Sequence, residues 1–215
     1  MTAIRPGRFI TLEGIEGAGK STVARHAREW LAARGIHARL TREPGGTVLA
    51  ERVRNIVLER GAEELTPVTE TLLMFAARGI HLETLIRPAL ARGEWVVCDR
   101  FTDATRAYQA GGRGVSSAFI EALAQAVHPT FTPDCTLLLD LPVAVGLARS
   151  KRRSGNAPTD RFEAEPAAFF ERVRAAYLEL SMLEPKRFRI IDASVPLAEV
   201  EEQVALALTP MLDLK

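Results

Sequence analysis

The chain has 215 residues, enough to bury one sizeable core without disulfides, and its two cysteines, Cys98 and Cys135, both lie in or beside apolar runs. Its 28 Lys and Arg against 27 Asp and Glu leave a formal net charge of +1, which gives no electrostatic footprint for nucleic acid or an anionic membrane. No apolar run approaches the roughly 20 residues that span a bilayer, Met1 to Arg8 does not read as a signal peptide, and no cysteine spacing suits a metal, so a single cytoplasmic domain over residues 1–215 is expected.

Phe9-Ile10-Thr11-Leu12 reads as a buried strand. The next residues, Gly14-Ile15-Glu16-Gly17-Ala18-Gly19-Lys20-Ser21, match the pattern G-x-x-x-x-G-K-[ST]. Glycines at these spacings let backbone N–H groups converge on phosphate oxygens, and the helix that follows adds a favourable dipole. Lys20 then reaches the β- and γ-phosphates and the Ser21 hydroxyl ligates Mg²⁺. An apolar strand before the loop and an amphipathic helix after it, from Lys20 to Arg34 and stopped at Gly35, favour a nucleotide loop over a plain glycine-rich turn.

His37 to Thr41 is a second short strand, and Arg42-Glu43-Pro44-Gly45-Gly46-Thr47 is a loop, because Pro-Gly-Gly continues neither a helix nor a strand. Helical periodicity runs from Val48 to Glu59 and from Pro67 to about Ala91. Trp95 to Cys98 is the next strand, with Asp99 and Arg100 at its carboxyl end. A carboxylate there suits Mg²⁺ or its waters, or a helix N-cap, and an arginine beside phosphates is a natural bidentate clamp. Helices follow around Thr102 to Tyr108 and Ser116 to Val127, separated by Gly111-Gly112-Arg113-Gly114. A strand from Thr136 to Leu139, helices from Pro142 to Arg153 and from Pro166 to Leu180, a strand from Phe188 to Ile191 and a helix from Pro196 to Leu208 complete the chain. Short unalternating strands separated by helices predict an α/β fold, a doubly wound parallel sheet with helices on both faces. Ligands in such sheets bind at the carboxyl ends of the strands.

The glycine-rich loop, the Thr41-Arg42-Glu43-Pro44-Gly45-Gly46-Thr47 segment, and Asp99-Arg100-Phe101 with Ala107-Tyr108-Gln109 together resemble bacterial thymidylate kinases of the P-loop nucleoside monophosphate kinase family. The resemblance covers essentially the whole chain. It implies phosphoryl transfer from ATP, with Mg²⁺, to dTMP in dTTP biosynthesis, and a homodimer. By resemblance, Glu16 meets the acceptor 3′-hydroxyl, Arg100 grips the acceptor phosphate, and Tyr108 lies under the deoxyribose where a 2′-hydroxyl would clash. Thr105 and Gln109 reach the thymine edge, Arg78 donates to a thymine carbonyl, and Arg42 joins the acceptor site. Where many relatives have an aromatic against the base, this chain has Met74, with Phe75 one residue later; Phe75 either stacks on the base or fills helix core. Ala104 stands where relatives commonly have Ser.

Arg149, Lys151, Arg152, Arg153 and Arg161 crowd a helix end and the loop beyond it, and the segment 149–161 is expected to act as a short mobile lid. A charge run is commonly a solvated face. Here the glycine-rich loop carries no basic residue besides Lys20, so Arg149, Arg153 and Arg161 are the candidate cations for the transferred phosphoryl group, and the chain resembles family members that supply the catalytic arginine from the lid. Asp192, after the last strand, resembles the loop lying against adenine. Two other readings stand beside this one: a kinase for uridylate, cytidylate or guanylate, and a P-loop switch or assembly ATPase, for which the guanine-reading Asn-Lys-x-Asp is missing from the sequence.

Overall fold

The computed structural model describes residues 7–59, 64–154 and 161–212. Five parallel strands form the sheet: β1 (Phe9–Glu13), β2 (Ala38–Arg42), β3 (Trp95–Asp99), β4 (Cys135–Asp140) and β5 (Phe188–Asp192), in the order β2-β3-β1-β4-β5. β1 is central, and the register pairs Leu12 with Asp99 on one side and with Leu137 on the other. The carboxyl ends of three adjacent strands are therefore level, and everything that follows β1 and β3 opens on the same edge.

The strands are apolar at successive positions because both faces of the sheet are covered. Ile10, Leu12, Val97, Leu137 and Leu139 pack in a cluster with Val23, Ala27 and Leu31 of α1 (Lys20–Ala32) and Val204 and Leu208 of α9 (Leu197–Leu212). Phe9, Val96 and Cys98 point the other way, onto Leu82, Ile86 and Ala89. Both cysteines are free and buried, and burial pushes both thiols up, Cys135 to about 11.

α2 (Val48–Leu58) is capped by Thr47, whose Oγ1 accepts from the Ala50 N–H. α3 (Pro67–His81) is capped by Thr66 and opens on a proline, whose missing N–H costs nothing at that position. The long expected helix to Ala91 is continuous but changes winding, through a π-helical turn at Leu82–Ile86 into α4 (Arg87–Ala91).

The glycine turn expected at 111–114 is displaced. α5 (Thr102–Thr105) runs directly into a π-helical segment, Arg106–Gly112, before α6 (Ser117–Val127). The glycines serve packing instead. A Cβ on Gly112 would meet the Phe169 ring, and one on Gly111 would lie 2.6 Å from Ala176 Cβ, so both make room for α8 (Ala167–Leu183).

α7 (Val143–Ser154) carries the first part of the expected lid. Residues 155–160 of that segment lie outside the described residues. No helix among the described residues is long and apolar enough to cross a membrane.

Candidate active site

The loop after β1 folds as its glycines require. Gly14, Gly17 and Gly19 have φ of 133, 74 and 90°, and a Cβ on Gly17 would run into the carbonyl of Gly146 in α7. Ile15 and Ala18 turn their side chains into the core, so apart from the Glu16 carboxylate this loop presents backbone. Lys20 is buried and donates from Nζ to the carbonyls of Gly14 (3.0 Å) and Ile15 (2.9 Å). Burial pushes its pKa down to about 8; Arg100 adds to that, while Asp99, Glu16 and Glu13 pull the other way.

β3 ends in a turn of unusual conformation. Arg100 has φ of 73°, in the left-handed region that a residue with a Cβ rarely enters. Glu13, fully buried at the end of β1, holds it: Glu13 Oε1 accepts from the Phe101 N–H (2.8 Å) and Oε2 from Tyr177 Oη (2.7 Å). The Arg100 side chain is thereby aimed across the cavity. Its Nη1 donates to the Gly14 carbonyl (3.1 Å) and its Nη2 to Glu16 Oε1 and Tyr108 Oη, both at 2.9 Å. Tyr108 Oη in turn donates to Glu16 Oε2 (2.7 Å), and burial pushes the phenol well above its ordinary range, so it stays a donor. The last residue of β3, Asp99, sits just before this turn, and its buried Oδ1 has no hydrogen-bond partner. An orphaned carboxylate oxygen that shares one cavity with the Ser21 hydroxyl and Lys20 is a donor set that suits a hard divalent cation such as Mg²⁺.

Arg78 is held by a buried bracket. Its Nε donates to Glu43 Oε2 (2.7 Å), and its Nη2 to the Phe101 carbonyl (3.1 Å) and Thr105 Oγ1 (3.0 Å). Its Nη1 is buried with no partner, which leaves one strong donor for a carbonyl acceptor. Glu43 also accepts from His81 Nδ1 (3.0 Å), and the opposite ring nitrogen of His81 meets Thr41 Oγ1 (2.7 Å). Glu43, His81 and Cys98 converge closely enough to suggest a metal site. Both histidine nitrogens and both Glu43 oxygens are already committed, so the group is a support for Arg78.

These groups share one cavity of about 490 Å³. Glu16, Gly17, Gly19, Lys20, Ser21, Arg42, Arg78, Asp99, Arg100, Thr105, Tyr108, Gln109 and Arg153 line it. Seven expected residues do not: Gly14, Ile15 and Ala18 within the glycine-rich loop, and Phe75, Arg149, Arg161 and Asp192. Phe75 is buried against Val115, Ile120 and Ala124, with its ring beside His128, because the face of α3 that carries it packs on α6; the neighbouring Met74 takes the place on the cavity wall. Arg149 donates to the Ala193 carbonyl (2.7 Å) and so ties α7 to the loop after β5. Arg161 turns to the Val57 carbonyl and to Glu70. Asp192 shapes its own loop by accepting from the Ser194 N–H (2.8 Å) and hydroxyl. Arg25, Arg54, Phe162 and Glu163 line the cavity without having been singled out. Arg25 lies one helical turn beyond Ser21, a spacing that could have revealed it; Arg54 had no such signal.

The model of the family described as thymidylate kinase matches residues 12–204. The chain belongs to the thymidylate kinase family. A thymidylate kinase from Pseudomonas fluorescens strain SBW25 is 53% identical over 207 residues, 96% of this chain and 97% of that protein. One from Alcanivorax borkumensis is 54% identical over 199 residues, covering 93% of this chain and 94% of its own. The crystal structure of thymidylate kinase from Ehrlichia chaffeensis superposes with a TM-score of 0.75 at 31% identity, covering 97% of this chain and all of that one. A thymidylate kinase must bring two phosphorylated nucleotides together, and Lys20, Arg25, Arg42, Arg54, Arg78, Arg100 and Arg153 give the cavity the positive charge that needs.

Proposed function

We propose that the chain transfers the γ-phosphoryl group of Mg-ATP to dTMP, giving dTDP for dTTP synthesis, and that the cavity residues divide that work. The observation that carries the reading is the continuity of the cavity, which joins Lys20 and Ser21 at one end to Arg78, Thr105 and Gln109 at the other. Lys20 and the loop amides take the ATP phosphates, and Ser21 and Asp99 hold Mg²⁺. Arg100 grips the acceptor phosphate by giving up part of its contact with Glu16, which then accepts from the 3′-hydroxyl. Tyr108 lies against the sugar. The unpartnered Nη1 of Arg78 meets a thymine carbonyl, and Met74 covers the base. Arg153, on the cavity wall, is the lid cation for the transferred group, whereas Arg149 and Arg161 act as ties.

The chain is read as one catalytic domain, located in the cytoplasm, where two buried free thiols stay reduced. A second copy is its expected partner: Leu49 and Ile56 of α2 and Val68 and Leu72 of α3 are exposed apolar side chains on two helices that pack together. A coupled ADP-release assay with Mg-ATP across dTMP, dUMP, UMP, CMP and GMP tests the activity. Turnover should be fastest with dTMP; equal or faster turnover of UMP or CMP would overturn the acceptor assignment. Light scattering on the eluting protein reports the dimer.

A further inference from the structure

Glu70 lies on α3, outside the cavity wall, and is completely buried. Its carboxylate collects three donors from two distant parts of the chain. Gln109 Nε2 (2.7 Å) and Arg113 Nε (2.9 Å) both donate to Oε1, and Arg161 donates to Oε2. A carboxylate can only accept, so Gln109 must turn its NH₂ group towards Glu70. That leaves the amide oxygen, an acceptor, for the cavity that Gln109 lines.

The two arginines extend the same arrangement to the wall. The guanidinium of Arg113 lies 5.3 Å from the centre of the Phe162 ring and that of Arg161 5.5 Å from it. Phe162 lines the cavity and meets Tyr108 edge-on at 5.9 Å. One buried carboxylate thus fixes both the polarity of the base-facing amide and an aromatic wall beside the sugar-facing tyrosine.

We propose that Glu70 is the positioning residue that sets base specificity, by locking Gln109 with its oxygen towards the acceptor base. The proposal rests on the cavity's being the dTMP site. Thymine and uracil carry a proton on N3 and a carbonyl at C4. An amide oxygen at Gln109 accepts from N3–H while Arg78 donates to the carbonyl. Cytosine reverses both, with a bare N3 facing an oxygen and an amine facing a guanidinium. Unmatched buried polar groups are costly, so the pairing excludes cytosine. If Glu70 is replaced by Gln, the carboxamide offers either an acceptor or a donor to Gln109. Residue 109 is then free to flip and present its NH₂ to the base.

The test compares the parent, Glu70→Gln, Gln109→Leu and the double variant by steady-state kinetics with dTMP, dUMP and dCMP at saturating Mg-ATP. Glu70→Gln should raise the dTMP KM and lower the dTMP-to-dCMP ratio of kcat/KM, each by at least about tenfold, the scale of one mispaired buried hydrogen bond. The dTMP-to-dUMP ratio and the ATP KM should stay near parental values, which a general loosening of the fold would not leave untouched. In the Gln109→Leu background the Glu70 change should add nothing to the base ratio. A folded Glu70→Gln protein with the parental dTMP-to-dCMP ratio overturns the proposal, as does full additivity in the double variant. If Glu70→Gln does not fold, the parent protein still decides: the ¹⁵N-edited side-chain amide signal of Gln109, identified by its loss in Gln109→Leu, should hold its position when dTMP is added. A large shift of those amide protons would place the NH₂ against the base and sink the idea. A parent protein that does not prefer dTMP overturns the functional reading, a result distinct from a parental ratio retained in Glu70→Gln.

Discussion

Arg100 concentrates the cost and the use of a single residue. Its left-handed backbone is of the kind that costs about 1–3 kcal/mol for a residue with a Cβ, and Glu13 holds it through the next amide. Two replacements separate backbone from side chain. Arg100→Ala and Arg100→Gly both remove the guanidinium and should raise the dTMP KM by at least about tenfold, the mark of a clamp used in ground and transition states alike. Glycine enters the left-handed region freely, so Arg100→Gly should melt above Arg100→Ala; equal melting temperatures would mean that the turn stores no strain. Residue-level chemistry was legible where neighbours in sequence act together, as in Gly14 to Ser21 and Asp99-Arg100. It was illegible where a side chain's direction depends on distant packing. Met74 and Phe75 are adjacent on one helix, and only the seat of α3 on α6 decides which of them faces the cavity. Glu70 gave no sign of its role, because Gln109, Arg113 and Arg161 lie far from it in sequence.

Among the elements, the strands and most helices followed from apolar runs, caps and glycine stops, whereas the π-helical segments did not, because their winding answers to packing. α7 shows the same lesson at Gly146. A glycine inside an exposed helix is about 1 kcal/mol worse than alanine. Here a Cβ on Gly146 would lie 2.7 Å from the carbonyl oxygen of Glu16, in the phosphate loop itself. Gly146→Ala should therefore lower the melting temperature and raise the ATP KM, against the usual helix propensity; a stabilised protein with parental ATP KM would show that the loop yields easily. The basic end of the same helix divides by geometry. Arg153 lines the cavity with its side chain 64% exposed and pairs with Glu163 at 3.2 Å, whereas Arg149 is committed to a carbonyl. Arg153→Ala should lower kcat by at least about a hundredfold with little change in ATP affinity, since a cation that meets the phosphoryl group mainly in the transition state acts on kcat. Parental kcat in that variant would return Arg153 to the solvated face.

For the molecule as a whole, a net charge of +1 conceals strong local separation: a basic cavity, and ionisable groups buried beside it at element ends, Glu13 closing β1 and Lys20 opening α1. The sheet order and its binding edge were legible, since parallel α/β sheets place ligands at strand ends, but the buried carboxylate at the end of β1 was not, because Glu13 reads as part of the loop that follows. Burial pushes the Glu13 pKa from 4.5 up to about 8, with Asp103 adding to the rise and the Tyr177 hydroxyl, the Arg100 charge and the Phe101 N–H opposing it. A raised folded-state value means that the folded protein binds this proton more tightly than the unfolded chain. The contribution to stability is then complete below the unfolded value near 4.5 and is lost as the pH rises through about 8. Lys20 behaves oppositely: its lowered value makes charged Lys20 a burden below about 8, relieved as the pH rises towards 10.5. Between these two groups, the window from 4.5 to 8 therefore belongs to Glu13. His128, whose value burial lowers, is present alike in the parent and in a Glu13→Gln protein and cancels in the difference. Glu13→Gln keeps an oxygen for the Phe101 amide and removes the ionisation. Urea unfolding of parent and variant from about pH 5 to about pH 9 should show the parent's advantage shrinking as the pH rises, with most of the change below pH 8. A parent-minus-variant difference that stays flat across that range would mean that Glu13 keeps an ordinary carboxylate's affinity for its proton, and that the Arg100 turn is braced by a charge already present at acid pH.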